Sequence, residues 1–417
     1  MFAILKNPTF ARLFAAQVVA LLGTGLLTVA LGLLAYDLAG SRAGAVLGTA
    51  LAVKMFAYVA VAPVISAVTY RVSRRILLIG SNIVRASIAV LLPLVGQTWQ
   101  IYVLIFALQA ASATFTPAFQ SVIPAVLVDE DDYTKGLSLS RLAYDLESLL
   151  SPVIAAALLA VMAYNYLFIG TVAGFAVSAA LVLTTTLPAI AGDKSSESFW
   201  QRTTSGARVM LDRPVLRALL ALNMVVAAAT GLVIVNTVVY VHDMLGSTNT
   251  ALALLLACYG GGSMVIAVAL PRVLHAIADR WVMLTGATVI PVVLAATAGL
   301  LVLHPSPAVG WAGFITAWIL LGAATSLINT PSARLLRYQS APDALPSVFT
   351  AQFSLSHACF FLTYLLAGWL GVAVGQPAAA ATLAVLAAFA AILAARIWPA
   401  KHATISDPHR TPAAAHR

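Results

Sequence analysis

Charge is scarce in this sequence. Asp, Glu, Lys and Arg make up 9% of the 417 residues, where a soluble domain carries about 25%. That deficit excludes a water-facing globular surface over most of the chain. Cysteine is scarcer still: Cys258 and Cys359 stand in the middle of separate apolar runs, so neither a disulfide framework nor zinc-type ligand spacing follows. H-E-x-x-H, G-x-S-x-G and a pair of acids on two different apolar runs are all missing. These absences argue against an intramembrane protease or a lipid transferase. Gly260, Gly261 and Gly262 lack the Lys and the strand of a phosphate loop and read as close helix packing or a hinge.

What is present is apolar length. Hydrophobic residues make up 61% of the chain, with mean hydropathy +0.97. A helical span of a bilayer core about 30 Å thick needs about 20 mostly apolar residues. Such runs fall near 10–36, 43–69, 76–97, 99–123, 137–163, 165–188, 215–241, 249–273, 281–303, 308–332, 345–371 and 376–398. They lack the alternation of barrel strands. The first run has no small-residue cleavage site and reads as a span, not a signal. The sequence therefore predicts an all-α membrane protein with twelve transmembrane helices.

The basic residues fall in alternate loops. Lys6 and Arg12, then Arg71, Arg74 and Arg75, then Lys135, Lys194, Arg202, Arg208 and Arg213 share one side with Arg272, Arg280, Arg334, Arg337 and the tail. The opposite side holds little beyond Arg42. The positive-inside rule then places both termini in the cytoplasm, in the inner membrane of a bacterium. The net charge of +9 is a topological signal, and no motif for nucleic-acid binding accompanies it.

The polar stretch 189–214 divides the chain into residues 1–188, a cytoplasmic linker, residues 215–398 and a tail from 399 to 417. The two halves echo each other: Thr116-Pro117 closes span 4 and Thr330-Pro331 closes span 10. Repeated halves about a midplane site are a common transporter plan. Three stretches carry a family resemblance: L-L-G-T-G-L-L-T-V-A-L-G-L-L-A-Y-D-L-A-G-S in span 1, A-P-V-I-S-A-V-T-Y-R-V-S-R-R after span 2, and F-T-P-A-F-Q-S-V-I-P-A-V-L running into L-S-L-S-R-L-A-Y-D-L-E-S-L-L-S-P in span 5. On these the chain resembles the major facilitator superfamily, in the branch of drug-type proton antiporters that includes macrolide and siderophore exporters and nickel-resistance permeases. The resemblance implies two six-helix bundles rocking about a central cavity, with Arg71, Arg74 and Arg75 as a gating loop. The sequence departs from the family pattern at Pro63, Tyr70, Thr24 and Ser151-Pro152.

Ionisable side chains inside a span cost about 2.5–3.5 kcal/mol each and usually mark function. Of the 14 acids only Asp145 and Glu147 fall well inside a predicted span, about 12 and 15 Å from the cytoplasmic end of span 5. Asp145 lies one turn from Arg141 and reads first as its structural counter-charge, and second, with Glu147, as a proton-coupling candidate. Glu147 has no partner on its own helix and reads as a proton-coupling carboxylate. Lys54, about 16 Å into span 2, is too deep to snorkel and must pair with an acid or face the cavity. Arg85 reads as structural. The second half offers Asn223, Asn236, Asn329, Gln352 and His357. His357 with Cys359 forms a weak candidate metal pair, and the run Asp129–Asp132 reads as a solvated turn. The substrate cavity is thus expected to involve Lys54, Arg141, Asn223, Asn329 and His357.

The function expected is secondary active transport: proton-coupled export of a small toxic solute, either a metal or metalloid species or a drug-like compound. The expected partners are that solute, protons and the bilayer, and the expected state is a monomer without cofactor. Export of siderophores or other organic solutes, and a membrane sensor that has lost transport, are the alternatives.

Overall fold

A computed structural model describes residues 2–61, 72–127, 129–187, 199–274, 277–341 and 344–399. Arg71, Pro63 and Tyr70 lie outside the described residues, as do the side chains of Arg141 and Asp145. Among the described residues every regular element is helical. The helices are α1 (Pro8–Ala39), α2 (Ala43–Phe56), α3 (Arg74–Leu91), α4 (Thr98–Val126), α5 (Glu130–Leu159), α6 (Asn165–Leu183), α7 (Phe199–Asp212), α8 (Pro214–Val239), α9 (Asn249–Val273), α10 (Asp279–Leu303), α11 (Pro307–Gln339), α12 (Leu345–Ala373) and α13 (Gln376–Ile397). Nine helical stretches among the described residues are long and apolar enough to cross a membrane. One of the nine, Pro8–Ala60, contains both α1 and α2.

Local chemistry sets the ends of these helices. Asn7 caps α1, its side-chain oxygen accepting from the amides of Thr9 at 3.1 Å and Phe10 at 3.2 Å, and Pro8 fits the first turn, where no amide partner is needed. Gly40, with φ +53°, takes a conformation that costs a side chain dearly and turns the chain from α1 into α2. The acidic run at 129–132 is not a free turn. Asp129 caps α5 by accepting from the amide of Asp132 at 3.1 Å, where the helix dipole favours negative charge.

Arg75 and Arg12 act at another helix end. Arg75 donates to the Leu183 carbonyl, and Arg12 Nη1 to the Thr184 carbonyl at 2.9 Å. Both supply donors to the last, otherwise unsatisfied carbonyls of α6.

In the first half α1 packs on α5 and α6, and α3 on α4 and α6. In the second, α9 packs on α11, α10 on α11 and α13, and α8 on α12 and α13. Glycines permit the closest of these approaches. A Cβ on Gly262 would overlap the Ile319 carbonyl, so one of the three consecutive glycines serves α9–α11 packing. The two halves meet chiefly through α2 against α12 and α5 against α9. The polar linker contains an unexpected helix, α7, whose Met210 is fully buried and whose Gly206 lies on the Ser347 backbone at the start of α12.

Candidate functional site

The site is assembled from α1, α2, α5 and α12. Glu147 projects from α5 onto the middle of α1, where Gly25 has no side chain. A Cβ at Gly25 would overlap Ser151 Oγ and come within 2.5 Å of Glu147 Oε1. Gly25 therefore makes the space in which the carboxyl group and the Ser151 hydroxyl sit. Lys54, near the end of α2, interacts electrostatically with Glu147. Both side chains are half-buried. Their attraction acts at longer range than a hydrogen-bonded ion pair and offsets part of the cost of two charges within the spans.

The helix containing Lys54 then loosens into a π-helical turn, Ala57–Val61, a distortion often found at functional sites. It presents Tyr58 to the opposite half. Tyr58 lies edge-on to His357, with ring centroids 5.6 Å apart, and to Phe353 at 6.1 Å. It also interacts electrostatically with Glu147. His357 packs on Phe353 at 4.0 Å, its Nδ1 lies 2.7 Å from the Phe353 carbonyl, and it senses the Lys54 charge. Phe360 at 6.3 Å and, beyond it, Tyr364 continue the aromatic column along α12. A carboxylate, an ammonium, an imidazole and several ring faces thus come together from both halves.

Other sequence-derived candidates lie elsewhere. Asn223 and Gln352 exchange two hydrogen bonds of 3.0 and 2.9 Å, tying α8 to α12. Asn236 donates to the Ala367 carbonyl at 3.1 Å and to Gln376 Oε1 at 2.6 Å. Asn329 is half-buried on α11, its carbonyl accepting from Ser332 Oγ at 2.6 Å. Arg85 is buried between the rings of Phe115 and Phe175, 4.4 and 4.5 Å from their centroids. Its guanidinium is bonded to Asn82, an arrangement that holds a charge by cation–π contact. Cys258 and Cys359 are both free thiols.

A second polar cluster lies at the turn end of α1. Tyr36 donates to Asp243 and stacks on His242 at 4.3 Å. The His242 ring nitrogens lie 2.8 Å from the Val238 carbonyl and 2.9 Å from Asn249 Oδ1. His242 and Asp243 occupy the second π-helical turn, Tyr240–Met244. Beside them α2 and α12 meet through glycine. A Cβ on Gly48 would overlap the Tyr364 carbonyl, and one on Gly368 would overlap the Gly44 carbonyl. Tyr164, in the loop before α6, donates to Asp37 at 2.7 Å, and burial with that bond pushes its hydroxyl above the usual phenol range.

Comparison with known proteins decides the family. The family model of the Major Facilitator Superfamily matches residues 13–315. The chain belongs to the major facilitator superfamily. Macrolide efflux protein A of Streptococcus pyogenes is 26% identical over 219 residues, 51% of this chain and 53% of that protein. Its namesake in Enterococcus faecalis is 26% identical over 171 residues, 39% of this chain and 52% of that protein. The aligned region thus spans about half the length of these curated relatives.

Among solved structures, a bacterial homolog of the human lysosomal transporter Spinster, inward-facing and unoccupied, superposes with TM-score 0.72 at 13% identity, over 94% of this chain and 98% of its own. A POT family transporter bound to a thioalcohol-conjugated peptide gives 0.73 at 12% identity, over 92% and 94%. The nucleoside transporter NupG gives 0.67 at 13%, over 93% and 98%. These likenesses establish the superfamily fold. The protein is a multi-span membrane protein of that superfamily.

Sequence reading found Lys54, Glu147 and His357 one at a time, as costly polar groups in apolar runs. It missed Tyr58, which is ordinary in composition, and Gly25. The G-T-G of span 1 was the available signal for the second, since a glycine in a helix invites close approach.

Proposed function

We propose that this transporter exports a small toxic organic solute against proton influx by alternating access, with Glu147 carrying the proton and Lys54 as its alternating counter-charge. The observation that carries the reading is Glu147 seated against Gly25 and attracted by Lys54, beside Tyr58 and the aromatic column of the opposite half. A proton neutralises Glu147 in one state and leaves Lys54 free to turn to another partner; in the other state the pair re-forms. Tyr58, Phe353, His357 and Phe360 offer ring faces suited to apolar or weakly cationic drugs. The similarity to proteins named for macrolide efflux favours this class over metal or metalloid ions.

Twelve spans in two six-helix bundles, with both termini in the cytoplasm of a bacterial inner membrane and a monomeric state, complete the reading. On it, the Tyr36–Asp243 cluster and the α2–α12 glycine contact lie at the outer side.

Uptake of a macrolide into inverted membrane vesicles tests the assignment. Wild-type vesicles accumulate the drug when acidified inside and lose it on addition of an uncoupler. The account expects Glu147→Gln to abolish the proton-driven component; uptake that stays proton-dependent in this variant removes Glu147 from the coupling role.

A further inference from the structure

A groove of about 690 Å³ lies on the outward face of the second half, between α10 and α13. Its floor is cut low by alanines of α13, among them Ala388, Ala391 and Ala395, facing Pro291 on α10. Arg280 and Trp281 close one end.

The helices run antiparallel, so Arg280 at the start of α10 lies level with Ala395, and Arg396 follows in the last turn of α13. Among the described residues no acid lines the groove. Asp279, the acid beside Arg280 in the sequence, is bonded to Arg334 instead. Arg280 rests on the Trp281 ring at 5.1 Å, and among the described residues its Nε is buried without a hydrogen-bond partner.

From Arg280 to Ala295, the limits of the groove on α10, the helix rises about 22 Å. One leaflet with its headgroups measures about 20–22 Å, half of the full bilayer. The groove is therefore one leaflet long, apolar along its length and cationic at one end. The cationic end also coincides with the N-terminus of α10, where amides and dipole favour an anion.

We propose that this groove seats one anionic phospholipid, its phosphate at Arg280 and Arg396 and an acyl chain along the α13 alanines. Trp281, largely exposed beside Arg280, marks the headgroup level, the usual place of an interfacial tryptophan. The occupant sits against α10 and α13, away from the Glu147 site. It thus holds the outer helices of the second half together independently of transport chemistry. In the orientation proposed above, the leaflet is the cytoplasmic one.

Native mass spectrometry of the purified full-length chain tests this, with phosphatidylglycerol and phosphatidylcholine of identical acyl chains as the probes. The wild type should retain the first phosphatidylglycerol roughly tenfold better, the size expected when one or two arginines near the surface meet an anionic headgroup. Arg280→Gln combined with Arg396→Gln should bring the two lipids to parity, while Arg280→Lys keeps the preference. Ala388→Phe, or Ala395→Phe at the more open end, should fill the groove and weaken retention of both lipids. Equal retention of the two lipids by the wild type overturns the proposal. So does an undiminished preference in the double Gln variant, or wild-type retention in both Phe variants.

Discussion

Glu147 needs three neighbours of different kinds: Lys54 for charge, Tyr58 for contact with the opposite half, and Gly25 for space. Gly25 gives a sharp prediction, because a single methyl group must displace either Ser151 or the carboxyl group. Gly25→Ala should lower thermal stability in detergent by about 1–3 kcal/mol, the usual cost of overpacking. It should cut proton-driven transport more deeply than that loss explains. Adding Ser151→Gly restores the space and should recover transport in part, which vesicle uptake can check. Failure of the double variant to improve on Gly25→Ala would show that the seat is not what was lost. The charged residues of this site were legible in the sequence because charge in an apolar run is costly wherever it falls. Gly25 and Tyr58 were not, because their roles depend on what another helix brings to them. Asp145 and Arg141 stay a proposed structural pair, one turn apart on span 5.

At the scale of elements, α2 carries both Lys54 and the contact between halves. Its first turns meet α12 through Gly44, Gly48 and Gly368, and its last residues lead through the π-helical turn to Tyr58. Gly48→Leu cannot fit against the Tyr364 carbonyl and should force α2 and α12 apart. A cysteine placed at Gln376, in a background with Cys258 and Cys359 replaced by serine, should then react several-fold faster with an impermeant outside maleimide. An unchanged labelling rate would show that this contact does not govern outer access. Tyr36→Phe, which removes the bond to Asp243, should act in the same direction and more weakly, since one hydrogen bond to a charged group is worth about 1.5–3 kcal/mol. The length of the apolar runs foretold helices along them. It foretold neither π-helical turn, since these arise where packing and side-chain geometry override the regular ladder, nor α7, whose polar composition concealed an amphipathic helix held by α12.

Across the whole molecule, the distribution of charge has a consequence beyond topology. The first half supplies Glu147, Lys54 and Tyr58 and the second supplies imidazole and further aromatic surface, so in the proposed mechanism coupling lies on the first bundle and the solute surface is shared by both. In that proposal, rocking of one half against the other links protonation to the shape of the cavity. The superfamily was readable from motifs spread along the chain, whereas solute identity depends on a surface shared by two halves and leaves no contiguous trace in the sequence. The central claim is that solute binding and Glu147 protonation exclude each other. The most direct test is to add a macrolide to the purified, detergent-solubilised protein in weak buffer and record the pH. The account predicts a release of protons, up to one per transporter at saturation, that disappears in Glu147→Gln while the variant still binds drug. Drug binding without proton release from the wild type, or release that survives in Glu147→Gln, would contradict it.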